Sequence, residues 1–247
     1  MSRKILKEKI HNIEIDSKTY QIIVHFKRIK KLYLRINGKG EITASVPTFY
    51  NSAQVNKFLL QHKDWIIKQS ARINKISQQK AKHKAATKNQ VLYLGKYYDL
   101  QINIADRNKI FFTDDALIFQ HPEPDKIDME ATRDSWLNRQ AKMYLRKKFY
   151  ELHERLKAYP LPPVMLQVRK KKRSWGTCYP NKKQIILNRE LIKAPEVCIE
   201  MVIVHELTHL IHPDHSKAFY ALFSKFMPDW KERQALLNKT MQLELEL

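Results

Sequence analysis

The chain has 247 residues, 43% of them hydrophobic, which suffices for one large domain or two small ones around a buried core. Forty-six Lys and Arg against 25 Asp and Glu give a net charge of +21, a surplus that favours polyanions such as nucleic acid or nucleotide phosphates and also keeps a surface solvated. No apolar run is long enough to span a bilayer and the opening MSRKILKEKIHNIEID has no apolar secretory core, so a cytoplasmic protein without a membrane partner is expected.

The first fifty residues alternate polar and apolar in short runs (HNIEI, TYQIIVHF, LYLRI, EITASV) broken at Asn37-Gly38 and Gly40, the pattern of antiparallel strands and tight turns. From Ser52 the spacing of Val55, Phe58, Leu59, Trp65 and Ile66 becomes helical and then fades into a polar tract, predicting a helix that frays into a linker near residues 77–89. VLYLGKYYDLQINI and KIFFTDDALIFQH read as further strands with turns at Gly95 and Asp114-Asp115. A long helix follows over 129–157, stopped by Pro160, Pro162 and Pro163. The remainder reads as strand (VMLQVR), basic turn, strand (QIILN), helix 195–212 and one or two more helices to about residue 240. The fold class expected is α+β: a β-rich antiparallel region with an intervening helix over residues 1–128, and a second domain over 129–247.

His205-Glu206-Leu207-Thr208-His209 is an HExxH motif inside the largely apolar run VCIEMVIVHELTHLIH, as expected of a buried helix. Helix positions four apart lie about 40° apart in rotation and roughly 6 Å apart along the axis, so two imidazoles can converge on one ion. Glu206 then projects beside them as a proton acceptor for a metal-bound water. Two histidines and a glutamate on a buried helix with nothing to bind would lose hydration without compensation. His215, beyond the helix-stopping Pro213, is the third ligand in this reading; His212, three residues past His209 on the same helix, is the competitor. Three protein ligands leave a fourth position open, the catalytic rather than structural pattern for Zn2+. Tyr220 is either an oxyanion donor or a core residue between Phe219 and Phe223.

Arg169-Lys170-Lys171-Lys172-Arg173 is a run of five cations leading into Ser174-Trp175-Gly176-Thr177-Cys178. The run can grip phosphate oxygens, and Trp175 is either a stacking face or a core anchor. Cys178 and Cys198 lack CxxC spacing, so neither a cysteine-rich zinc site nor a structural disulfide is expected.

WGTC, IILNRELIKAP and VIVHELTHLIHPDHSKAFYALFSKFMPDW, with HKDWI and YLGKYYDL upstream, resemble the YgjP-like metallohydrolase family, related to the SprT and WLM zinc peptidases, over roughly residues 10–240. The resemblance implies a zincin-like C-terminal domain, His205, His209 and His215 as zinc ligands, and Glu206 as catalytic acid/base. The arginine that often precedes the family's Trp-Gly pair is Ser174 here, with Arg173 adjacent. A zinc-dependent, metallopeptidase-like hydrolase acting on a protein or peptide is the leading expectation. The alternatives are a metal-dependent nucleoside triphosphate (UTP) pyrophosphatase acting on a nucleotide, with the cation run holding the triphosphate, and a nucleic-acid-associated protein with structural zinc.

Overall fold

In the computed structural model, which describes residues 4–172 and 174–242, the chain divides into two units at 85/86. The first opens with β1 (Ile5–Ile15) and β2 (Lys18–Lys27), an antiparallel hairpin turned by Asp16 and Ser17, both at positive φ. β3 (Tyr33–Ile36) and β4 (Ile42–Pro47) form a second hairpin, in which Asn37 Oδ1 accepts from the backbone N–H groups of Lys39 and Glu41, both at 3.0 Å.

The sheet order is β1-β2-β4-β3, so β2 and β4 run parallel, with Ile22 beside Ile42 and Val24 beside Ala44. The region is therefore mixed rather than wholly antiparallel. Its two hairpins are antiparallel within themselves, and the second inserts by its own second strand. The period-2 pattern buries Ile13, Ile15, Ile22, Val24, Ile42 and Val46 on one face, against Val55 and Leu59 of α1 (Ser52–Gln61) and Ile66 of α2 (Lys63–Ala86). Asn51 and Gln54 form a capping box that starts α1. α2 continues through the tract expected to fray, because its Lys, Gln and Ala residues are good helix formers and no Pro or Gly interrupts them.

The second unit begins with β5 (Gln90–Tyr93), β6 (Lys96–Ile104), β7 (Lys109–Phe112) and β8 (Ala116–His121), in the order β5-β6-β8-β7, the same topology as the first sheet. α3 (Met129–Arg155), capped by Asp128, buries Trp136 with Val91, Leu117 and Phe119 of this sheet. Further along, its Ala141, Leu145, Phe149 and Leu152 enter the main core. One helix thus joins the second sheet to the C-terminal elements within the second unit.

A three-stranded sheet follows, ordered β10-β11-β9, with β9 (Met165–Arg169) parallel and β10 (Gly176–Tyr179) antiparallel to β11 (Gln184–Asn188). The stretch between VMLQVR and QIILN, read from sequence as a basic turn, thus also holds an edge strand that begins at Gly176. α4 (Glu196–Thr208), α5 (Lys217–Phe226) and α6 (Trp230–Met241) complete the unit. The β5–β6 turn docks at the start of α4: Leu94 and Gly95 donate to the carbonyls of Ile192 and Lys193 at 2.9 and 3.0 Å, and a Cβ on Gly95 would lie 2.9 Å from Pro195. Among the described residues, no helix is long and apolar enough to cross a membrane.

Candidate metal centre

α4 is apolar over most of its surface, with Cys198, Ile199, Met201, Val202, Ile203, Val204 and Leu207 all buried, and its remaining side carries Glu196 and Glu200, paired with Lys148 and Arg233. It ends at Thr208, four residues short of the expected 212, and tightens through bonds from Leu210 to Leu207 and from Ile211 to Thr208. His209, at the C-cap, keeps helical backbone angles and so still stacks one turn beyond His205.

The three predicted histidines converge. Nε2 of His205 and Nε2 of His209 lie 3.2 Å apart, His209 and His215 3.2 Å, and His215 and His205 3.1 Å. A tetrahedral ion with nitrogen ligands at about 2.0–2.1 Å would separate them by about 3.3 Å, so the triad fits a zinc-sized cation. His212 does not join it through its side chain. Its carbonyl lies 3.0 Å from His209 Nδ1, which places the His209 proton on Nδ1 and leaves Nε2 as a lone pair facing the other two. Three such nitrogens cannot all donate to one another, and a shared cation removes the conflict.

Burial, followed by the neighbouring imidazoles, pushes His205 down to about 4. Burial also lowers His209, against the His212 carbonyl. Both shifts favour the neutral ring, the form in which an imidazole can take a metal.

Beneath the triad lies Phe219, fully buried, with its ring 5.0, 4.5 and 4.9 Å from those of His205, His209 and His215. Ser216 caps α5 one residue after His215 and thereby aims Phe219 under the imidazoles. Tyr220 is exposed, stacked on His215 and Trp230 rather than packed in the core.

Glu206 points from α4 towards β10. It is buried, 6% exposed, and burial lifts its carboxyl to about 7, opposed by the charge of Lys171 and a hydrogen bond from the Cys178 backbone N–H. Its side chain lies across the face of Gly176, where a Cβ would come within 2.5 Å of Glu206 Cγ and 2.6 Å of Cδ.

Among the described cations of the basic run, Lys171 is the one that turns inward: Nζ donates to Thr177 Oγ1, and desolvation lowers its pKa while Glu206 counteracts. Ser174 Oγ is 3.4 Å from the same hydroxyl. Arg173 lies outside the described residues.

Asn188, wholly buried, holds this basic loop. Its Oδ1 accepts from Lys171 N and Glu190 N, both at 3.2 Å, and its Nδ2 donates to the carbonyls of Lys171 at 3.0 Å and Ser174 at 3.2 Å. Trp175 is half-buried against the main core, as an anchor would be. Sequence reasoning missed Phe219, Asn188 and the role of Gly176. The only available signal was a polar Asn ending the apolar strand QIILN and a Gly beside a Trp.

A family model described as the YgjP-like metallopeptidase domain matches residues 30–240. Among curated proteins, the chain is similar to Protein SprT of Actinobacillus succinogenes, 34% identical over 91 residues, or 36% of this chain and 48% of the relative. The chain thus spans about half the length of that relative.

Proposed function

The chain belongs to the YgjP-like metallopeptidase family, and on that premise we propose that it is a zinc-dependent hydrolase in which His205, His209 and His215 hold the metal and Glu206 moves the proton. The observation that carries this reading is the convergence of three Nε2 atoms within 3.1–3.2 Å of one another, one residue from a buried carboxylate. A fourth protein donor, which a structural zinc site uses, is not grouped with them among the described residues.

When bound, zinc supplies a Lewis acid that makes water more acidic and polarises the oxygen of the scissile bond. Glu206 takes the proton of the attacking water and returns it to the leaving group. Gly176 leaves room for that carboxylate, and the Cys178 N–H orients it. His212, through its carbonyl, fixes the tautomer of His209. Phe219 keeps the underside of the site apolar. We read the unit of β9–β11 and α4–α6 as a zincin-like scaffold and a peptide bond as the bond cleaved.

A second reading, cleavage of a phosphoanhydride in a nucleoside triphosphate such as UTP, is favoured by one observation: Lys171 is turned inward, within electrostatic reach of Glu206, where it would meet an anionic substrate. Incubating the zinc-loaded protein with an unfolded polypeptide and, separately, with nucleoside triphosphates distinguishes the two. Peptide cleavage lost in Glu206→Gln, with no pyrophosphate released, supports the peptidase reading. Pyrophosphate release lost in the same variant replaces it with the second, and activity undiminished by Glu206→Gln overturns both.

A further inference from the structure

The positive charge of this chain is unevenly placed. Residues 1–85 hold 19 Lys and Arg against 5 Asp and Glu, so the first unit, which lacks the histidine triad, carries +14 of the +21. Within it, α2 is long and mostly exposed, with Asp64 its single carboxylate and Ile66 its single fully buried residue. Lys68, Arg72, Lys75 and Lys82 follow spacings of four, three and seven, which align side chains on one face of a helix. All four are exposed, and none is ion-paired among the described residues. The half-covered Ile73 lies towards the opposite face, while the half-covered Ile76 and the exposed Trp65 border the stripe on one side, one turn from Arg72 and from Lys68.

We infer that this stripe on α2 is a docking surface for the phosphodiester backbone of a nucleic acid. The four cations span about 21 Å from residue 68 to residue 82, the first three one turn apart and the fourth two turns further along. A row of uncompensated charges of this kind gains from releasing the condensed counterions of a polyanion. The positions between them are Ala71, Gln78 and Gln79, small or hydrogen-bonding residues suited to phosphate and sugar oxygens. A surface helix on a bilayer needs large apolar side chains along both flanks of its basic face; here Trp65 and Ile76 stand on one flank, and Ala71 and Gln78 hold the other. The inference is independent of the reaction at the triad, since none of these residues belongs to it.

The test uses the full chain and labelled oligonucleotides, with fluorescence anisotropy followed as NaCl is raised. The arms are duplex DNA, single-stranded DNA and single-stranded RNA, with anionic phosphatidylserine vesicles alongside. The variant replaces Lys68, Arg72, Lys75 and Lys82 with Gln, and a control replaces the exposed Lys88, Lys142, Lys182 and Lys239 of the second unit with Gln. The wild type should bind at least one nucleic acid with steep salt dependence, and the strongest arm identifies the source. The stripe variant should lose about 3 to 4 from the log–log salt slope on duplex, and on the order of tenfold or more in affinity, with the control close to wild type. If the fourfold variant unfolds by circular dichroism, the pairs Lys68→Gln/Arg72→Gln and Lys75→Gln/Lys82→Gln should each lose about half the slope change. Equal loss in stripe and control variants, unchanged binding in the stripe variant, no salt-dependent binding by the wild type, or binding to vesicles alone overturns the inference.

Discussion

Glu206 rests on Gly176: the carboxylate of the HExxH helix crosses the α-carbon of the first residue of edge strand β10, at a distance that admits no side chain there. The carboxylate that we propose moves the proton is thus positioned as much by the sheet edge as by its own helix. The same strand offers it the Cys178 N–H, so β10 both shapes and orients the carboxylate.

Gly176→Ala should displace Glu206. Overpacking of this kind costs about 1–3 kcal/mol, and activity should fall more steeply than stability because the carboxylate itself is displaced. Zinc content should stay near that of the wild type, since the three histidines are untouched. Chemical denaturation beside turnover measures both effects, and an alanine variant with wild-type turnover would refute the close approach.

Asn188→Ala should cost about 1–3 kcal/mol in denaturant unfolding, because it strands the backbone groups of Lys171, Ser174 and Glu190 that the amide satisfies. The loop carrying Lys171 should also become more accessible to trypsin. Unchanged stability and unchanged cleavage kinetics would show that the amide is not what holds the loop.

Phe219→Ala removes the ring beneath all three imidazoles. A fully buried Phe truncated to Ala costs about 3–5 kcal/mol, and loss of a supporting residue around a metal site weakens affinity by about 10- to 100-fold. Phe219→Leu should recover most of the stability. Zinc titration against a competing chelator reads the affinity directly, and a Phe219→Leu variant with wild-type affinity alongside an unfolded alanine variant would restrict the ring to a packing role.

Glu190 carries a pH dependence with a definite sign. Burial raises its pKa, but Lys193 and Arg189, both in contact with it, outweigh burial and leave the carboxyl below its usual range. A carboxyl lowered in the folded state contributes stability that is present above its unfolded pKa and lost as pH falls through the folded one. Glu190→Gln should therefore lower the melting temperature at pH 7 and lose that deficit as both proteins are acidified below pH ~4. A deficit that is constant with pH would assign the effect to packing instead.

The parts of the site legible in the sequence were those set by local spacing. His205 and His209 are brought together by helix geometry, and His215 arrives within six residues, after the chain has turned at Pro213. The opaque parts depend on partners far along the chain: Gly176 answers to Glu206 thirty residues later, and Asn188 to a loop that begins at Lys171. Strand period gave the burial of Ile22, Val24, Ile42 and Val46 but not the parallel pairing of β2 with β4, since alternation marks faces and is silent about neighbours. For the same reason, the shared order of the first two sheets has no signature in residue pattern. The end of α4 at Thr208 was missed because the apolar run continues past it, while the backbone has already begun to tighten.

Metal analysis of the purified protein by mass spectrometry, after exhaustive dialysis and one equivalent of zinc, addresses the triad most directly. The account predicts close to one zinc per chain for the wild type and for Glu206→Gln, and less than about a tenth of that for His205→Ala, His209→Ala and His215→Ala, each checked for folding by circular dichroism. Folded alanine variants that keep a full equivalent, or a wild type that retains none, would contradict it.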